Sequence, residues 1–185
     1  MCRYYAEPGK VNTRETIEIS LARASELGIK KIVVASITGD TALQLLDAAG
    51  DGGFEVIVIG WQYGLREPDV NPMTVEVQDS IIKAGGRLHF AMHALGVLGK
   101  MASCAGAGTA AETLKMFSRG TKVCVELAIM CADAGFAFST EEIICIGGTG
   151  PSGADTACVI QPASSVFAWD REKGLRVREL LCKPR

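Results

Sequence analysis

The chain has 185 residues, a formal net charge of −2 and 48% hydrophobic residues, enough sequence for one domain over 1–185 with a substantial core. Its basic residues are scattered rather than clustered, which excludes nucleic acid as the primary partner. Charges interrupt every apolar run well before the roughly 20 residues that a membrane helix needs, and Met1 to Pro8 lack the apolar stretch and cleavage site of a secretory signal, so the expected compartment is the cytoplasm.

Asn12 followed by Glu15 reads as a helix start, since a side-chain oxygen there accepts an orphan amide while the carboxylate reaches back. Ile17, Leu21, Ala24 and Leu27 recur at helical spacing and Gly28 supplies the stop. Lys31 to Ser36 is a continuous β-branched run of the kind buried on both faces of a parallel sheet, and is the first expected core strand. Thr38-Gly39-Asp40-Thr41 turns the chain into a helix ending at Gly50 to Gly53, and Glu55 to Gly60 is the second strand.

Residues 61–72 contain Gly64, Pro68, Asn71 and Pro72 without periodicity and read as a long, functional type of loop. A helix from Thr74 to Ala84 follows, then a short third strand, Arg87 to Phe90, and Ala- and Gly-rich helical sequence through Lys100. Thr109 with Glu112 makes a capping box for another helix, and Lys122 to Ala134 reads as a largely buried one. Ile143 to Ile146 is the fourth strand. The fifth, Thr156 to Ile160, follows too soon for a crossover helix and is expected to run antiparallel to the fourth. The tail from Gly174 to Cys182 reads as a further edge strand.

The seven cysteines are odd in number, never spaced C-x-x-C, and several sit in apolar runs; they read as buried reduced thiols. His89 and His93 lack a third ligand at suitable spacing, so no metal site is expected.

In open α/β sheets ligands bind beyond the carboxyl ends of the strands, and two loops there have the composition for a phosphate. The first joins strand one to a helix N-terminus, where free amides and the helix dipole favour an anion. Ser36, Thr38 and Thr41 offer hydroxyls and Gly39 a close backbone approach; ordinary capping by Thr38 or Thr41 is the alternative. The second runs through Gly147, Gly148, Thr149, Ser152 and Gly153, although its glycines also suit a plain turn between strands four and five. Asp155 and Asp133 suit polar ligand contacts, although such residues more often cap or form salt bridges. Glu126 lies in so apolar a helix that it needs a partner or a raised pKa, which makes it a site candidate. Trp61 and Tyr63, just past strand two, suit stacking on a planar ring or packing.

The run from Ile32 to Ala42 resembles the strand and phosphate loop of the pyruvate kinase C-terminal domain. Asn12 to Thr16, Lys122 to Glu126, Ala132-Asp133 and Gly153 to Ala157 extend that resemblance to stand-alone relatives of the domain. It implies a three-layer α/β/α sandwich around a mostly parallel five-stranded sheet of order 3-2-1-4-5, with strand five antiparallel. It also implies bound flavin mononucleotide (FMN), its phosphate on the Ser36 to Thr41 loop and its ring near Trp61, Tyr63 and His93, in a redox enzyme of unknown substrate. Pyruvate kinase activity is not implied, because catalysis there belongs to a barrel domain that this sequence lacks. Where those relatives carry arginines after Gly148, this chain has Thr149-Gly150-Pro151-Ser152. The second reading is a non-catalytic sensor for a sugar phosphate or nucleotide; a purely structural subunit is the third. Assembly into a homo-oligomer is left open.

Overall fold

A computed structural model describes residues 1–96, 105–150 and 153–185. Seven strands form one sheet: β1 (Arg3–Tyr5), β2 (Lys31–Ala35), β3 (Glu55–Trp61), β4 (Arg87–Ala91), β5 (Ile143–Gly147), β6 (Thr156–Gln161) and β7 (Arg176–Pro184). Their order is β1-β7-β6-β5-β2-β3-β4. The five expected strands are β2 to β6; β2, β3, β4 and β5 are parallel, and β6 is antiparallel to β5.

The five-stranded sheet that the resemblance implies is therefore two strands short: β7, which the tail suggests, and β1. β7 is not an edge strand, since β1 pairs parallel to its outer side, with Arg3 opposite Cys182. Three residues of β1 are too short to show a period of two, and only the partner strand fixes them as extended.

Helices α1 (Thr13–Leu27), α2 (Asp40–Ala49) and α3 (Val75–Lys83) cover one face of the sheet; α5 (Arg119–Asp133), with α4 (Ala105–Lys115) beside it, covers the other. The alternation of the strands makes both faces apolar. Ile32 and Val34 join Ala24, Leu45 and Ile81 on the first face. Val33 points the other way, to Cys124, Leu127 and Ala128 of α5. The result is three layers with two cores, which is why the central strands read as unbroken β-branched runs.

Local signals met with mixed outcomes. Gly28 ends α1 in the left-handed conformation (φ 70°), accepting no Cβ penalty there. Asn12, however, makes no side-chain cap; its Nδ2 donates to Glu7 O at 2.7 Å instead. Thr109 and Glu112 lie inside α4 rather than at its start, and the start of α5 is capped by Ser118, whose Oγ accepts from the Thr121 amide at 2.9 Å. Residues 92–96 are turn and irregular backbone, not the expected helix; the rest of that expected stretch, 97–100, falls outside the described residues.

Among the described residues, no helix is long and apolar enough to cross a membrane. Cys124, Cys131, Cys145, Cys158 and Cys182 are buried free thiols, while Cys2 is partly exposed. Burial pushes the Cys131 thiol up to about 12 and the Cys182 thiol to about 11.

Candidate functional site

The parallel strands β2, β3, β4 and β5 deliver their carboxyl ends to one rim of the sheet, and a cavity of about 430 Å³ opens there. Its walls come from Ser36, Thr38 and Thr41 after β2, Gly60 and Trp61 at the end of β3, His93 after β4, and Gly148, Thr149, Gly150 and Gly153 after β5. The two loops singled out from the sequence therefore face each other across one space, because β2 and β5 are neighbours in the sheet.

On the β2 side, Ser36 and Thr41 are both 4% exposed. Ser36 Oγ accepts from the Ala42 amide at 3.4 Å, so the hydroxyl helps to cap α2 while lining the cavity. Gly39 precedes the helix at φ 95°. It does not line the cavity: a Cβ there would collide with Val77 of α3, so glycine is needed for close packing as well as for the backbone angle. Asp40, exposed in the first turn, also reaches the cavity wall.

The β5 side is organised from beneath by Asp155, which is fully buried. Its carboxylate accepts from the Gly9 amide at 2.8 Å, the Thr149 amide at 3.1 Å and Thr156 Oγ1 at 2.8 Å. The Ala154 amide donates to Thr13 Oγ1 at 3.0 Å. Asp155 is thus a strut for the turn and not part of the cavity lining. Gly147 is likewise buried below the rim, where a Cβ would meet Gly120 O at 2.9 Å; its lack of a side chain lets α5 sit close on β5. Thr149 Oγ1 is buried in the cavity wall and makes no hydrogen bond among the described residues. Ser152 lies outside the described residues. Asp133 is away from this rim and accepts from the Ser165 amide at 2.8 Å.

Residues that the sequence reading passed over supply the charge. Lys115 from the end of α4, and Arg119 and Lys122 from the first turn of α5, line the same cavity. Lys115 pairs with Glu112 and Lys122 with Glu126, whereas Arg119, exposed, has no ion-pair partner among the described residues. The signal in the sequence was the i, i+3 spacing of Arg119 and Lys122, which puts both on one helix face; nothing local showed which face turns to the rim.

Glu126 is 1% exposed and has three donors: the Leu95 amide at 3.1 Å, His93 Nδ1 at 3.2 Å, and Lys122 Nζ. Burial pushes its carboxyl up, but the His93 hydrogen bond and the adjacent Lys122 ammonium outweigh that and leave it below the usual range. Of the two alternatives, a partner or a raised pKa, the carboxylate has partners and stays ionised. Trp61 meets His93 edge-on, with ring centroids 6.4 Å apart, and carries Arg66 over its outer ring at 5.0 Å. Tyr63 is outside the cavity, half exposed, packed edge-on against Phe90 at 5.3 Å. His89 stacks edge-on against Phe136 at 5.4 Å, apart from His93.

Fold and cavity together define the class: an α/β protein with a polar, cation-walled pocket at the carboxyl rim of a parallel sheet. No family model matches the chain. Among solved structures, O-ureido-L-serine synthase is similar with a TM-score of 0.33 and 19% identity, over 57% of this chain and 30% of that one. A hydrogen sulfide-producing enzyme from Fusobacterium nucleatum is similar with a TM-score of 0.32 and 12% identity, over 68% of this chain and 43% of that one. The chain spans less than half the length of either, and at these TM-scores neither likeness carries an argument about activity.

Proposed function

We propose that the cavity binds a phosphate-bearing small molecule. The observation that carries this reading is the convergence, in one space, of the start of α2, the glycine turn after β5, and Arg119, which has no ion-pair partner among the described residues. Free amides at a helix start and a guanidinium together form the kind of site a phosphate prefers. The cavity volume falls within the range usual for small-molecule sites. The unpartnered Thr149 Oγ1 supports a polar ligand, because an unmade hydrogen bond at a buried hydroxyl costs about 1–3 kcal/mol.

Flavin mononucleotide is the first ligand to test, on the resemblance of residues 32–42 and 153–157 to stand-alone pyruvate kinase C-terminal domains. The residues present fit it: Ser36, Thr41 and Arg119 would hold the phosphate, and Trp61 and His93 are the planar side chains of the wall. A bound flavin would supply hydride or electron transfer to a substrate. In place of the missing arginines after Gly148, Arg119 and Lys115 bring positive charge from a different part of the chain.

The test is titration of the purified protein with FMN, inorganic phosphate, sugar phosphates and nucleotides, read by flavin fluorescence quenching and by melting temperature. Quenching by FMN supports the flavin reading. Stabilisation by a sugar phosphate or nucleotide alone favours the sensor reading, and silence from every phosphate compound defeats both.

A further inference from the structure

We propose that the cavity is a proton-transfer site: His93 is its general acid–base residue, Glu126 positions it, and its substrate is a phosphate ester bearing a carbonyl-activated C–H bond. This rests on the phosphate reading of the same cavity.

The inference begins at Glu126. An ionised carboxylate has no proton to give, so every group hydrogen-bonded to it must donate. The Leu95 amide and Lys122 Nζ hold it in place, and His93 must therefore present its Nδ1–H. In the neutral ring this puts the lone pair on Nε2, which makes no hydrogen bond among the described residues. The ring lines the cavity, braced edge-on by Trp61. A histidine fixed in one tautomer by a buried carboxylate, with its other nitrogen left for a ligand, is the arrangement of a general base. A purely structural histidine has no need to share a wall with Arg119 and the start of α2.

Charge supports the same chemistry. Glu126 contacts His93, and Lys122 and Arg119 from α5, Lys115 from α4 and Asp40 from α2 line the same cavity. When Nε2 takes a proton from a carbon beside a carbonyl, an N–H bond forms as the C–H bond breaks, and the electron pair moves to the carbonyl oxygen as an enolate. The new imidazolium faces Glu126, and the enolate shares a cavity with Arg119 and Lys122. Return of the proton to the same carbon closes the exchange; return to the former carbonyl carbon also passes the proton of the adjacent hydroxyl to the enolate oxygen, and neither course needs an electron acceptor. Phosphorylated aldoses and ketoses have the two required features, an anion at one end and an enolisable carbonyl at the other.

The experiment incubates the protein with triose, pentose and hexose phosphates in D2O, follows deuterium entry at the carbon beside the carbonyl by NMR, and measures inorganic phosphate binding in parallel. Exchange with at least one of them is expected. His93→Asn should slow it at least about a hundredfold while inorganic phosphate still binds. Glu126→Gln, its fold checked by near-ultraviolet circular dichroism, should slow it about tenfold and release the neutral His93 ring from its single Nδ1–H tautomer, read in the 15N shifts of the imidazole. Should that variant not fold, 15N spectra of the wild-type imidazoles, assigned with His89→Asn, decide the tautomer. Phosphate binding without exchange, or a His93 protonated on Nε2 in the neutral form, overturns the proton-transfer proposal and leaves the phosphate site standing. Absence of phosphate binding overturns both.

Discussion

Glu126 shows how one side chain concentrates the energetics of the rim. Its depressed folded pKa means that ionisation is more favourable in the folded state than in the unfolded one. The stability it contributes is therefore complete above the ordinary carboxylate range and is lost as the pH falls through the lowered folded value. Urea denaturation midpoints should fall more steeply on acidification in the wild type than in Glu126→Gln. Equal slopes would mean that the His93 and Lys122 contacts do not favour the charged form.

Arg119 makes the contrasting prediction. Among the described residues it supports no ion pair, so Arg119→Ala should leave the melting temperature within a degree or two while weakening phosphate affinity about tenfold to a hundredfold, the size of one charge-assisted hydrogen bond. Thr41→Glu should abolish binding by setting a second carboxylate beside Asp40; retained affinity in a folded Thr41→Glu variant would move the phosphate away from the start of α2. Composition made Ser36, Thr41 and Glu126 legible from sequence. Arg119 was not, because its value lies in the orientation of α5 against β5, which Gly120 and Gly147 set by removing side chains from the contact. Tyr63 was misleading for the opposite reason: its sequence neighbour Trp61 reaches the rim, but the next alternate position points to Phe90.

At the scale of elements, the β5–β6 turn is a loop held by a carboxylate rather than by its own sequence. Asp155→Ala removes the acceptor for two amides and a hydroxyl at once, and should destabilise the fold by about 3 kcal/mol. It should also weaken phosphate binding, since Thr149 loses its anchor; calorimetry and ligand titration on the same sample separate the two effects. Gly39→Ala acts at the other wall. It imposes a side chain at φ 95° and drives a Cβ into Val77, so it should cost about 1–3 kcal/mol and displace α3 relative to α2.

The elements themselves were legible where burial dictates them. β2, β3, β5 and β6 are flanked by apolar layers on both sides, and an unbroken run such as Ile143 to Ile146 announces that environment. Helix starts were less legible. Asn12 and Thr109 have the composition of caps, but Asn12 finds a better acceptor in Glu7 O, and α4 begins four residues ahead of Thr109. Local propensity is a weak force beside a single tertiary contact.

For the molecule as a whole, two cores enclosing five buried thiols among the described residues predict a chemical phenotype. Burial raises the pKa of Cys124, Cys131, Cys145 and Cys182, so the reactive thiolate is scarce as well as sheltered. Under native conditions iodoacetamide should label Cys2 ahead of these four, with the buried sites modified only at the rate of unfolding. Peptide mass spectrometry after timed quenching checks this, and early labelling of Cys124 or Cys145 would contradict a closed core.

The contacts of Gly9 with Asp155, of Thr13 with Ala154, and of β1 with β7 join the two extremes of the sequence. During synthesis on the ribosome the amino-terminal segment emerges first and has nothing to dock on until the residues past Gly153 have left the exit tunnel. A nascent chain arrested before that point can pair β2, β3, β4 and β5, yet it has no strut under the turn that faces the cavity. The wall of the cavity after β5 is therefore completed only once the residues past Gly153 are made, and a product truncated before them should lack that supported turn.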